Sequence, residues 1–293
     1  VKGRRATAVA AGVTATLVAV MMFSAFRALP SVIERQFFHP DATVYTTPAQ
    51  FGLGRTQDAW IPGPGGARLH GWWLPAAGPA RGTVLHLHGN AGNISAHLPL
   101  VAWLPHAGFN LLTFDYRGFG RSGGEPSLDG IVDDAQAALQ WLRQQPGVDA
   151  QRLIVLGQSL GGATAARLVA RDPAGVRLLI LDCAFASYRG VALDAVRGTW
   201  LAAVAPAAVQ ALPDAAADPI TAVRGLRVPL LVMHSENDAV VPISHGRALF
   251  EAASEPKQWL ELQHLQHVDG LAHEAVRRQV TAAMLQALSA HQE

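Results

Sequence analysis

From Trp60 onward two hydrophobic patterns alternate along the chain. Short runs rich in β-branched and other apolar residues predict strands over Ala67–Leu74, Thr83–His88, Phe109–Tyr116, Leu153–Gly157, Arg177–Asp182, Pro229–His234 and Gln258–Leu262. Between them, longer stretches carry apolar residues at helical spacing: Asn93–His106, Leu128–Gln145, Gly161–Arg171, Ile243–Ala253 and Leu271–Leu288. In Leu128–Gln145, Ile131, Ala135, Leu139 and Leu142 fall on one face. The middle strands are apolar at every position, as strands are when helices cover both faces of a parallel sheet. The pattern predicts an α/β fold, with a mostly parallel sheet flanked by helices on both faces.

Two regions break this rhythm. The segment 184–227 has no strand pattern, is rich in Ala and Val, and carries Trp200, Pro206 and Pro213. It reads as a helical cap inserted over the C-terminal edge of the sheet, since loops of this length in a compact domain are usually functional. The other region is residues 1–30. Lys2, Arg4 and Arg5 precede an apolar run from Ala6 to Phe26, and Arg27 and Pro30 end it. That is close to the ~20 residues a helix needs to cross a bilayer. Phe23 and Phe26 occupy positions where signal-peptide cleavage needs small residues, so a retained transmembrane anchor is expected. The excess of basic residues before the run predicts that the folded domain is exported, periplasmic or otherwise extracytoplasmic. The expected organisation is an anchor over 1–30, a juxtamembrane linker over 31–59 and one α/β domain over 60–293.

Composition narrows the partners. The 293 residues are 50% hydrophobic with a formal net charge of +1, which supports a large core and offers no basic footprint for nucleic acid. Cys183 is the only cysteine, so no intramolecular disulfide forms. The histidines make no paired helical motif, so neither a metal nor another cofactor is called for.

The strongest chemical signal is Gly157-Gln158-Ser159-Leu160-Gly161, followed by Gly162. It lies between a predicted strand and a predicted helix, the context that gives G-x-S-x-G its meaning. A sharp turn there projects the Ser159 hydroxyl above the sheet edge, and the Leu160 N–H at the helix start is suited to stabilise an oxyanion. A serine nucleophile needs a base and the base needs an acid, in the chain order Ser, acid, His. Asp238, just after a late strand, fits the acid, with Glu236 as a competitor. His267, in the loop after the last strand, fits the base, with His264 and His273 as competitors. A second oxyanion donor is expected in His88-Gly89-Asn90-Ala91-Gly92-Asn93, at the N–H of Asn90 or of Ala91. Asp115, Arg117 and Arg121 read as a structural turn held by an Asp–Arg pair, and Cys183 as a small buried hydrophobe.

Taken together, HGNAGN, DYRGFGRSGGEPS, GQSLGG and HSENDAVVP resemble the BEM46-like, membrane-associated α/β-hydrolases. The resemblance runs from about Trp60 to the end of the sequence. It implies a serine hydrolase acting on esters or thioesters, with a small-molecule or lipid acyl substrate. It also implies Ser159 as nucleophile, Asp238 as acid, His267 as base, and Asn90 and Leu160 as oxyanion donors. One departure stands at the base: the family pattern is Gly-x-His-Asn-Asp, whereas this chain has Gln266 before His267 and Val268 after it, with Asp269 retained. Other chemistry on the same triad, such as peptide hydrolysis, and a non-catalytic membrane-tethered binding role are the alternatives. Labelling by a fluorophosphonate separates the binding role from catalysis.

Overall fold

The computed structural model describes residues 34–290. The anchor expected over 1–30 lies outside them. Among the described residues no helix is long and apolar enough to cross a membrane.

Eight strands form one sheet: β1 (Gln57–Pro62), β2 (Arg68–Leu74), β3 (Gly82–Leu87), β4 (Phe109–Phe114), β5 (Leu153–Gln158), β6 (Val176–Asp182), β7 (Leu230–Ser235) and β8 (Lys257–Leu262). Their spatial order is β8-β7-β6-β5-β3-β4-β2-β1. β2 runs antiparallel to both β1 and β4, and all other pairings are parallel. The main helices are α1 (Ile94–Val101), α2 (Gly130–Arg143), α3 (Leu160–Arg171), α4 (Tyr188–Ala195), α5 (Pro219–Arg224), α6 (Ile243–Ala252) and α7 (Glu274–Ser289).

The pleat of the central strands explains the two-sided core. Leu85, Leu87, Val155, Leu179 and Leu181 pack with Ile131, Ala135 and Leu139 of α2 and with α3 on one face. Their alternates Val84, Ile154, Leu156, Leu178 and Ile180 pack with Leu98 and Val101 of α1 and Val280 and Met284 of α7 on the other. Each fully buried leucine or isoleucine contributes about 1.5–3 kcal/mol, so neither helical layer is dispensable.

Several elements differ from the sequence pattern. β1 begins at Gln57, inside the stretch read as linker, and buries only Ala59 and Ile61. Upstream, Phe38 and Leu53 are buried too, and His39–Pro40 pairs with Ala91–Gly92, so this stretch packs on the domain. The helix expected over 93–106 divides into α1 and a single turn at Trp103–His106. α7 starts only at Glu274, after a separate short turn at Gly270–Ala272. The segment 184–227 holds α4, three short helical turns and α5, with no strand.

The order of strands fixes where a site forms. After β3 the chain crosses to β4 on one side, then returns to β5 on the other. The loops leaving β3 and β5 therefore diverge, opening a crevice at the carboxyl ends of adjacent strands. Ser159 follows β5 directly, and His88–Gly92 follows β3.

Candidate active site

Ser159 joins β5 to α3 at φ 52°, ψ −116°. A non-glycine residue at such angles is strained, and its surroundings must over-determine it. Its N–H donates to the carbonyl of Asp182 at 2.8 Å, tying the turn to β6. A Cβ at Gly161 would lie 2.0 Å from the Leu87 carbonyl oxygen, and one at Gly157 would lie 2.3 Å from that of Gly161. The glycines are thus required by the close approach of backbone from β3 and α3.

Beneath the turn a buried polar chain crosses four strands. His86 contacts Thr113 Oγ1 at 2.9 Å and Gln158 Oε1 at 3.0 Å, and Gln158 Nε2 donates to Asp182 Oδ2 at 2.9 Å. Burial lowers His86 to about 3, so it is neutral. Burial likewise raises the Asp182 carboxyl to about 6, opposed by the Gln158 bond and the charge of His267. Asp182 Oδ1 is buried without a partner.

Asp238 and His267 meet. His267 Nδ1 donates to Asp238 Oδ2 at 2.6 Å. The other carboxylate oxygen accepts the N–H groups of Val240 at 2.9 Å and Val241 at 2.8 Å. Burial pushes the Asp238 carboxyl up, but the His267 bond and charge and these two amides outweigh it, holding it below the usual range. The His267 loop is docked on the sheet edge: Ser235 Oγ donates to the Gln266 carbonyl at 2.6 Å, and the Val268 N–H to Cys183 Sγ at 3.5 Å. Cys183 directly follows Asp182, the residue holding the Ser159 amide. Among the described residues no hydrogen bond joins the Ser159 hydroxyl to His267.

The competing residues lie elsewhere. His264 is exposed and 3.5 Å from Glu236, forming a surface pair. His273 is exposed and stands at the N-terminal end of α7, with no side-chain hydrogen bond to the helix. The turn after β3 lies against Ser159, since a Cβ on Gly89 would come 3.7 Å from Ser159 Cβ. The N–H groups of Leu160 and Asn90 donate to no group among the described residues.

Sequence reasoning missed part of this environment. His97, on α1, donates Nε2–H to the Ala91 carbonyl at 3.0 Å and so holds the Gly89–Gly92 turn. Its only sequence signal was its place, with Ser95, as one of two polar residues in an apolar helix. The expected Asp–Arg pair exists with a different acid: Arg117 makes a two-pronged contact with the buried Asp134 of α2, at 2.7 Å for the closest pair. Asp115 instead accepts the Ile94 N–H at 2.8 Å, and Arg121 pairs with Asp58.

One cluster has the donor types of a metal site. Cys183, His234 and Asp238 bring ligand atoms within 4.8 Å of one another. Their chemistry does not suit an ion. Asp238 is saturated by His267 and two amides, and His234 Nε2 donates to the Val241 carbonyl at 2.8 Å. Burial pushes the Cys183 thiol far up, away from the thiolate a metal binds.

Known proteins are similar to this chain in sequence or in architecture. Residues 78–222 match the family profile described as serine aminopeptidase, S33. The chain is 37% identical over 281 residues to YfhR of Escherichia coli, covering 89% of this chain and 90% of that one. It is 34% identical to the alpha/beta hydrolase domain-containing protein WAV2 of Arabidopsis thaliana, over 71% of this chain and 70% of WAV2. Protein bem46 of Schizosaccharomyces pombe is 38% identical over 111 residues, 38% of this chain and 37% of bem46. Among solved structures, the Pyrococcus furiosus esterase Pf2001 superposes with a TM-score of 0.68, covering 86% of this chain and 97% of the esterase, at 19% identity, a likeness of fold. From its strand order, its strained serine turn and these relatives, the chain is an enzyme of the α/β-hydrolase superfamily and belongs to the BEM46-like family.

Proposed function

We propose that this enzyme is a serine hydrolase that cleaves carboxylic ester or thioester bonds through an acyl-enzyme. The observation that carries the reading is the 2.6 Å hydrogen bond from His267 Nδ1 to the buried Asp238, on loops beside the Ser159 turn. That bond leaves Nε2 of His267 as the proton acceptor. Ser159 Oγ attacks the acyl carbonyl as His267 takes its proton, and Asp238 stabilises the imidazolium that forms. The free N–H groups of Leu160 and Asn90 supply the oxyanion donors. The alcohol or thiol leaves with the proton from His267, and a water activated by the same imidazole releases the acid.

The test is labelling by a fluorophosphonate. We expect the wild-type chain to label and Ser159→Ala to lose both labelling and esterase activity while keeping its circular dichroism spectrum. Undiminished activity in that variant would sink the proposal. p-Nitrophenyl esters of graded chain length then report the acyl preference. Amino-acid anilides test the peptidase alternative suggested by the matched profile's description.

The proposal includes an anchor over residues 1–30, with the hydrolase domain on the extracytoplasmic side. Its support is the apolar run Ala6–Phe26 and the basic residues before it. C-terminal fusions to a reporter active only outside the cytoplasm, and to one active only inside, decide the side.

A further inference from the structure

The segment between β6 and β7 exposes an unusual surface. From Gly198 to Pro213 it contains no charged residue. Trp200 is 81% exposed, Val204 55% and Leu201 39%, all within one stretch of short helical turns. Ala202, Ala203, Pro206 and Ala207 around them are exposed as well. Single exposed apolar residues need no explanation, but an uncharged run led by an open tryptophan marks a contact surface. Arg197, exposed, precedes the run. Arg189 stands nearby, fastening α4 to the far end of the run through the carbonyls of Gln210 and Leu212.

The course of the chain says what faces this surface. The first described residues pack at the foot of the same insertion. Phe37 sits edge-on to Tyr188 at 5.8 Å and tilted to Phe185 at 6.3 Å, and the Glu34 carboxylate accepts the Leu128 N–H. The apolar run ends at Phe26. The few residues between it and Glu34 reach at most about 25 Å when fully extended. A domain held by that run therefore turns its insertion side toward whatever the run is embedded in.

We propose that Trp200, Leu201 and Val204 form a docking surface for a lipid bilayer, seated in the interface beside the anchor. This deepens the reading above and rests on it for the substrate class: acyl esters or thioesters carried by the bilayer itself rather than dissolved in water. The physical basis is burial of an apolar face at the headgroup boundary, with tryptophan at the level where aromatic rings concentrate and the exposed Arg197, paired with Asp194, beside it.

The experiment uses the full chain, as Ser159→Ala, reconstituted in vesicles of phosphatidylcholine and phosphatidylglycerol with brominated acyl chains. We expect the bromines to quench tryptophan fluorescence, and Trp200→Phe in that background to remove most of the quench. Equal quenching with and without Trp200 overturns the proposal. So does a Trp200 that is unquenched because residues 6–26 or a second copy covers it, which cross-linking to either would reveal. The kinetic arm uses the active chain. Leu201→Asp with Val204→Asp should lower hydrolysis of a vesicle-borne long-chain ester at least about tenfold, the equivalent of losing one inserted side chain. Hydrolysis of a soluble short-chain ester should stay unchanged. An equal loss on both esters, or on neither, overturns the docking surface. Because quenching is read on an inactive variant, its failure counts against this surface alone. Failure of the wild type to label with fluorophosphonate counts against the catalytic reading alone.

Discussion

Val268 donates its N–H to the sulfur of Cys183 at 3.5 Å, and both residues sit at positive φ, 54° and 50°. Ser159, at 52°, lies one hydrogen bond away through Asp182. Three of the four non-glycine residues with positive φ among the described residues are thus tied to one another at the carboxyl end of the sheet. Such conformations cost of order 1–3 kcal/mol each and persist only where neighbours enforce them. For a β-branched residue the left-handed region is a true outlier. The family pattern has Asn at this position, and Asn adopts that conformation with less strain. Val268→Asn should therefore raise stability by about 1 kcal/mol, seen as a melting temperature about 2–4 °C higher. A lower melting temperature would mean that the valine side chain contributes more by packing than its backbone loses by strain.

The glycines around Ser159 make a sharper contrast. A Cβ at Gly161 would meet the carbonyl oxygens of Leu87 at 2.0 Å and His88 at 2.5 Å, both backbone. No side chain can swing away to relieve that. Gly161→Ala should force α3 off β3 and give little or no soluble folded protein. At Gly123 an added Cβ meets nothing within 4 Å, and φ is not positive. Gly123→Ala should leave expression and the unfolding midpoint unchanged within about 0.5 kcal/mol. Normal folding of Gly161→Ala would contradict the close packing of β3 against the nucleophile turn.

Much of this was legible in the sequence because burial makes pattern. The central strands are apolar throughout, and the G-x-S-x-G turn is forced by contacts that only glycine permits. β1 escaped because an edge strand buries one face, leaving Ala59 and Ile61 among polar and turn-forming neighbours. The Asp238–His267 pair was readable from chain order, since each follows a strand at the same sheet edge. Asp134 as the partner of Arg117 was not, because it lies on α2, where an acidic residue ordinarily reads as part of the solvent face. The chain His86–Gln158–Asp182 crosses β3, β5 and β6. Only the strand order, which local periodicity does not encode, brings those residues together.

That chain makes stability depend on pH. Burial raises Asp182 from 3.8 to about 6, so the folded protein keeps this proton where the unfolded chain has lost it. Between those pH values the folded state binds more protons, and the free energy of unfolding falls as pH rises. The loss from this group is on the order of 3 kcal/mol, complete above about pH 6. Asp238, with its folded value lowered, has the opposite sign: it stabilises above 3.8, and that contribution is lost as pH falls further. Asp182→Asn removes the first dependence and leaves the second. Urea unfolding of wild type and variant across this range should show the variant gaining relative stability as pH rises. A difference independent of pH would mean that Asp182 stays ionised in the folded state.

The most discriminating substitution at the candidate triad is Asp238→Asn, which alters one atom and keeps the shape. Asp238 Oδ1 accepts from the amides of Val240 and Val241. An asparagine there must turn its carbonyl oxygen toward those two donors, because its NH2 group would meet N–H against N–H. The NH2 then faces His267 Nδ1, which changes from donor to acceptor. With Nδ1 accepting, the neutral imidazole carries its proton on Nε2 and is unable to take one from Ser159. The variant should fold, with stability reduced by the loss of a charged hydrogen bond, about 1.5–3 kcal/mol. Its kcat on a soluble ester should fall by roughly 10⁴, while KM changes little. Raising the pH should not restore it, since the defect is a tautomer and not a protonation level. His267→Ala should lower kcat at least as far, whereas His264→Ala should leave it near wild type, because His264 is exposed and paired with Glu236. Steady-state kinetics on the three variants decide it: a near-wild-type kcat in Asp238→Asn would show that the Asp238–His267 bond holds the loop without orienting the base.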